Sequence, residues 1–239
     1  MAKVDERDGM SKQRDHCIRC GECCRSSSPT LQMEDVPLVL EGIIERRNLY
    51  TIRVGELVYD NVRDELRRAG REMIKVREKG GGQACIYYEE EERACAIYEH
   101  RPVQCAALTC WDVSRFMAVY KGPKASRKDL IRDGVLLGLI EEHEKRCSYS
   151  QLELWLKQIE TGGAEAVERV LELLKFDYHL RPFTAKKMEI DPDEMDFLFG
   201  RPFVETIGMY GLEVTRQPDG SFLLTMAGSS SEEDQNRSA

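Results

Sequence analysis

Four cysteines fall within eight residues, in the run Cys17-Ile18-Arg19-Cys20-Gly21-Glu22-Cys23-Cys24. Few local patterns constrain a chain more tightly. Cys23 and Cys24 are adjacent, an awkward placement for ordinary disulfides, and the total of nine cysteines is odd. Cys17, Cys20 and Cys23 stand two residues apart from one another, a spacing that lets thiolates in a loop converge on one small ion or cluster. Backbone N–H groups in such loops hydrogen-bond to the sulfurs and spread their charge. The segment therefore predicts a metal-binding loop.

The spacing also bears on which metal. C-x2-C-x2-C supplies three ligands of a cubane in bacterial ferredoxins, whereas structural zinc sites pair two separate C-x2-C knuckles. The fourth ferredoxin ligand, C-x3-C-P, is absent, because Cys24 is followed by Arg25. The pattern leans toward an iron–sulfur cluster and leaves zinc or iron ions open.

Compartment decides between metal and disulfide. The stretch Met1 to Asp15 is charged throughout and lacks the apolar core of a signal peptide, and no apolar run approaches the ~20 residues of a membrane span. A reducing cytoplasm is expected, and there cysteine-rich segments bind metal or do redox work. The net charge of −8 argues against nucleic acid as a partner, since phosphate binding needs clustered Lys and Arg. A membrane partner is not expected, a protein partner is compatible, and oligomeric state is not set.

A second group follows: Cys85, Cys95, Cys105 and Cys110. Cys85–Tyr88 and Cys95–Tyr98 read as two arms of a hairpin around an acidic turn, and Pro102 suits the first turn of a helix leading into Cys105. With the first four these make eight thiols, enough for two four-thiolate sites or one site with spares. Cys110 reads equally well as a ligand or as a buried structural thiol. The ninth, Cys147, is spaced i+4 from His143, so the two share a helix face that could bind metal; a solvated His143 is the reading preferred in a run as charged as EEHEKRC.

Elsewhere the patterns are structural. Residues 34–48 read as a helix with Val36, Leu40, Ile43 and Ile44 on one side, and Ile74–Val76 as a strand. Leu130, Ile131, Val135, Leu139 and Ile140 suggest one amphipathic face. Leu152, Trp155, Leu156 and Ile159 give a second, and Val167, Val170, Leu171, Leu174 and Tyr178 a third. A Pro-Asp-Gly turn predicts a hairpin near the end. The chain lacks GxGxxG, P-loop, HExxH and G-x-S-x-G patterns, and Arg127-Lys128 and Arg67-Arg68 read as isolated basic pairs.

CIRCGECC, then Cys85, then CAIYEHRPVQC together resemble the cysteine-cluster family called YkgJ-like, the CxxCxxCC zinc- or iron-chelating domain. The matching positions are Cys17, Cys20, Cys23, Cys24, Cys85, Cys95, Tyr98, Arg101, Pro102 and Cys105, over about residues 15–110. Ala106 departs from the family's more usual Arg. The resemblance implies metal chelation by the cysteines and leaves the activity undefined. Some flagellin lysine methylases share the cysteine pattern, which keeps a protein-modifying enzyme beside a zinc-stabilised interaction module as alternatives. It also suggests supporting roles for Tyr98 and Arg101, the guanidinium offsetting thiolate charge.

The expected architecture is α+β: a cysteine-rich loop and hairpin lobe holding a metal centre, packed on a mainly helical C-terminal part. The metal-binding region should span 15–147 and the helical extension with its hairpin 148–227, forming one compact unit, with flexible tails at 1–14 and 228–239. The expected ligands are Cys17, Cys20, Cys23, Cys24, Cys85, Cys95, Cys105 and Cys110; no catalytic residue is assigned.

Overall fold

The structure is a computed structural model that describes residues 17–228; the tails expected at 1–14 and 228–239 lie outside the described residues except for Gly228.

In chain order the described helices are α1 (Glu22–Ser26), α2 (Val36–Leu40), α3 (Val103–Ala107), α4 (Ser114–Lys121), α5 (Arg127–Leu130), α6 (Gly134–Arg146), α7 (Tyr149–Gly162), α8 (Ala164–Met188), α9 (Met195–Phe199) and α10 (Phe203–Thr206). The strands are β1 (Leu49–Ile52), β2 (Leu57–Asp60), β3 (Glu65–Arg68), β4 (Met73–Val76), β5 (Tyr88–Glu89), β6 (Ala94–Cys95), β7 (Leu212–Arg216) and β8 (Phe222–Met226). They form four antiparallel pairs, β1 with β4, β2 with β3, β5 with β6 and β7 with β8. The mixture of helices and small antiparallel pairs is the expected α+β class.

β1 and β4 pair Leu49 with Val76 and Thr51 with Ile74. Leu49, Ile74 and Val76 are fully buried, and Leu31 joins them through its N–H to the Ile74 carbonyl at 2.8 Å. Around them a larger apolar cluster gathers Ile44, Leu130, Leu136, Ile140 and α9's Phe197 and Phe199, with Cys85 and Tyr88 at its edge. A second cluster unites Cys147, Tyr149 and Leu152 with Val170 and Leu174 of α8 and with Phe203 and Ile207. The expected faces of α7 and α8 are seated there: Trp155, Leu156, Ile159 and Leu171 pack against it. The C-terminal hairpin forms as the Pro-Asp-Gly turn predicts, with Val214 opposite Leu224.

Several expectations are corrected. Residues 34–48 are not one helix: α2 stops at Leu40, and Gly42 takes a φ of +76°, outside helical space. Residues 130–140 are split between α5 and α6, because Asp133 caps a new helix by accepting the Val135 and Leu136 N–H groups. Val135 is therefore 76% exposed, and the buried face of α6 is Leu136, Ile140 and His143. The hairpin at 85–98 is shorter than expected; β5 and β6 pair only Tyr88 with Cys95 and Glu89 with Ala94, while Cys85 bridges back to Glu78.

The largest correction concerns charge. Arg127 is not a surface basic residue: it is buried against Glu72 and Glu144, and its Nη1 donates to the Leu198 carbonyl at 2.6 Å. Arg53, fully buried, donates from Nε to both Glu144 oxygens at 2.9 and 3.1 Å and from Nη2 to the Cys147 carbonyl. His143 is buried, not solvated, with Nε2 2.8 Å from Asp177 Oδ1. The same Oδ1 accepts Arg181 Nη2 at 2.9 Å, and Oδ2 accepts the Phe203 N–H at 2.8 Å. This joint ties α6 and α8 to the strands and to α10.

Candidate metal centre

The site is assembled from three chain segments. The first begins with a loop, Cys17–Cys20, and turns at Gly21 into α1. Gly21 has a φ of +79°, and a Cβ added there would lie 2.5 Å from the Tyr88 hydroxyl. Only glycine suits both the left-handed backbone and that approach. Its carbonyl accepts the Cys24 and Arg25 N–H groups at 2.9 Å each, which starts the short helix carrying Cys23 and Cys24.

The second segment is joined to the first through the backbone as well: the Cys85 N–H donates to the Cys24 carbonyl at 2.7 Å. Cys85 is buried, and Tyr88 beyond it pairs with Cys95 across β5 and β6. The third segment is α3, which carries Cys105. Its start is held by the buried Asp35, whose Oδ1 accepts the Val103 N–H at 2.8 Å, while the Gln104 side chain accepts the Thr30 N–H at 2.6 Å. Sequence reasoning missed Asp35 and Gln104; the Gln32-to-Asp35 spacing of a capping box was the available signal.

Electrostatics show which thiols are neighbours. Burial pushes the Cys105 thiol up, and the proximity of Cys85, Cys95 and Cys23 pushes it further. Cys85 is raised by burial and by Cys95, and Cys95 by burial and by Cys23, against the pull of Arg101. The sulfurs of Cys23 and Cys24 are 3.9 Å apart. Their hydrogen bond is the main influence that lowers Cys23 to about 6 and raises Cys24, which also feels burial and the nearby Cys105 and Cys95. Five of the eight expected ligands are thus brought into one neighbourhood. Cys17 and Cys110 are exposed and Cys20 is half-buried. Among the described residues no three His, Cys, Asp or Glu side chains are arranged to hold an ion, so the thiols are gathered without being drawn onto one point.

Cys147 is elsewhere, fully buried in the second apolar cluster, where burial pushes its thiol up to about 12. A helix face on which it and His143 bind metal is not formed; His143 is engaged by Asp177 instead.

Three further groups border the thiols. Arg101 donates from Nε to the Tyr98 carbonyl at 2.8 Å and stacks on the Tyr98 ring, with Cζ 3.7 Å from its centroid. Its charge acts on both Cys23 and Cys95. Lys75 lies near Cys85 and is paired with Glu78. The Tyr88 hydroxyl is buried and has no hydrogen-bond partner among the described residues, an unusual condition for a polar atom.

The donor set fits a thiophilic metal. Neighbouring thiols resist ionising together unless a cation accepts their charge, and metal binding is coupled to that deprotonation. The orphaned Tyr88 hydroxyl is a donor available to a sulfur or a bound ligand beside Gly21.

Clustered thiols on separate segments, bordered by fixed cations, define a cysteine-cluster domain. Residues 16–121 match the family model described as "CxxCxxCC: Putative zinc- or iron-chelating domain". No curated protein and no solved structure matches the chain.

Proposed function

We propose that this chain holds an iron–sulfur cluster through its cysteines, with Cys23, Cys24, Cys85, Cys95 and Cys105 at the centre and Cys17, Cys20 and Cys110 completing the ligand set. The observation that carries the reading is the gathering of five thiols from three segments into one electrostatic neighbourhood. The C-x2-C-x2-C spacing and the all-sulfur donor set favour a cluster over an isolated ion. A cluster would supply one-electron chemistry; the chain's own contribution is to bind it, to balance thiolate charge with Arg101, and to shelter the sulfurs beneath Tyr88 and α3. No cysteine forms a disulfide, which suits the reducing cytoplasm we assign to it. Among the described residues no helix is long and apolar enough to cross a membrane.

Anaerobic purification followed by elemental analysis tests the proposal. A brown protein containing iron and acid-labile sulfide, with visible absorbance bleached by dithionite, is expected. A colourless protein with stoichiometric zinc would overturn the cluster and leave a zinc-stabilised module. Cys105→Ser should lose most of the metal, since burial among other thiols gives Cys105 no solvent ligand to replace it.

A further inference from the structure

We infer that Arg19 is a positioning residue for the metal centre: its stack on Tyr98 latches the arm bearing Cys17 and Cys20 onto the segment bearing Cys95 and Cys105. The inference rests on the metal-binding reading above. Arg19 Cζ lies 4.1 Å from the centroid of the same Tyr98 ring that Arg101 approaches at 3.7 Å. One aromatic ring thus receives a guanidinium from each of two motifs about eighty residues apart in the chain.

The backbone at Arg19 supports a task for its side chain. Its φ of +53° is left-handed, a region that residues with a Cβ occupy only at a cost. That turn directs the Arg19 N–H onto Cys17 Sγ at 3.4 Å. On backbone grounds glycine suits the position better, so the arginine stands there against local preference. Apolar burial does little to hold the arm, because Cys17 is exposed and Ile18 is 55% exposed. The stack on Tyr98 is what joins it to the rest of the site, and it also brings a second positive charge to the rim of a group of thiols.

The test uses the full chain under anaerobic conditions, titrated with Co²⁺, whose thiolate charge-transfer absorbance counts sulfur ligands, and back-titrated with Zn²⁺. Arg19→Ala should weaken metal affinity about three- to tenfold, as expected for a lost cation–π contact. It should also lower the charge-transfer intensity per bound cobalt, while the thermal midpoint of the metal-free chain stays unchanged. Arg19→Gly suits the left-handed backbone and must show the same weakening; Arg19→Lys should fall between. Combining Arg19→Ala with Tyr98→Leu should cost no more than the larger single change, because both remove one contact. Wild-type affinity in Arg19→Ala and Arg19→Gly, or strict additivity with Tyr98→Leu, would overturn the latch.

If the wild-type chain takes up neither cobalt, zinc nor iron, the metal-binding reading fails separately. The latch is then decided on the metal-free chain. Trypsin should cleave after Arg19 several-fold faster in Tyr98→Leu than in the wild type, and equal rates overturn it.

Discussion

The thiols around Cys105 and the joint around Asp177 are both clusters of titratable groups, yet they are balanced in opposite ways. In the joint each charge meets its opposite: Asp177 faces Arg181 and is hydrogen-bonded to His143, and Glu144 faces Arg53 and Arg127. Arg53 Nη1, His143 Nδ1 and Arg181 Nε lack partners among the described residues, but each of these side chains is hydrogen-bonded through another nitrogen. Around Cys105 the neighbours are alike, and every thiol that ionises penalises the next. A self-neutralising group is a structural fastening, whereas a self-repelling one is poised for a cation.

Breaking the joint should have the largest effect. Asp177→Ala leaves His143, Arg181 and the Phe203 N–H without their shared acceptor, and a loss of about 3–5 kcal/mol is expected in urea unfolding, the cost of orphaning buried partners. A change under 1 kcal/mol would show that the joint is not what holds α8 to α10.

Acid should act on the joint in the same sense. Asp177 is pulled from 3.8 to about 2, by its hydrogen bond from His143 and the charge of Arg181 outweighing burial. Its contribution is present above the unfolded pKa and is lost as pH falls through about 4 toward 2. Burial lowers the His143 pKa, so the folded state keeps it neutral where the unfolded chain takes up a proton, and stability also falls as pH drops below about 6.5. Roughly 2 kcal/mol should go from Asp177 alone between pH 7 and pH 2. Urea midpoints measured across that range, with Asp177→Asn losing the lower step, check the assignment.

Tyr88→Phe sharpens the other side of the comparison. The metal-free chain should be unchanged or gain up to about 1 kcal/mol, because a buried hydroxyl without a partner is removed. Metal-loaded protein should instead lose metal more readily to a chelator. The smallest effect is expected from Cys147→Ala, which should leave metal content at the wild-type level; a drop would place Cys147 in the centre after all.

The sequence made apolar periodicity legible and left paired charge hidden. α7, α8 and the final hairpin follow from local spacing, since Leu152, Val170 and Val214 need no knowledge of distant residues to be placed on a face. Arg127 and His143 misled because their partners, Glu72 and Asp177, lie 55 and 34 residues away, and a charged side chain reads as solvated until such a partner is known. The site divides likewise. The cysteines and the Tyr98–Arg101 pair stand out as motifs, but nothing local shows that Cys24 adjoins Cys105 while Cys147 lies apart, or that Asp35 fixes the start of α3.

The hydrogen bond from the Cys85 N–H to the Cys24 carbonyl has a consequence in time. Its two ends are 61 residues apart, so at ordinary synthesis rates roughly 3 to 12 seconds separate their appearance. During that interval the four leading thiols have been made and the segment that shelters them has not. The nascent chain therefore carries the leading thiols before the segment that completes the site exists, and a pause in translation between the two motifs lengthens that interval.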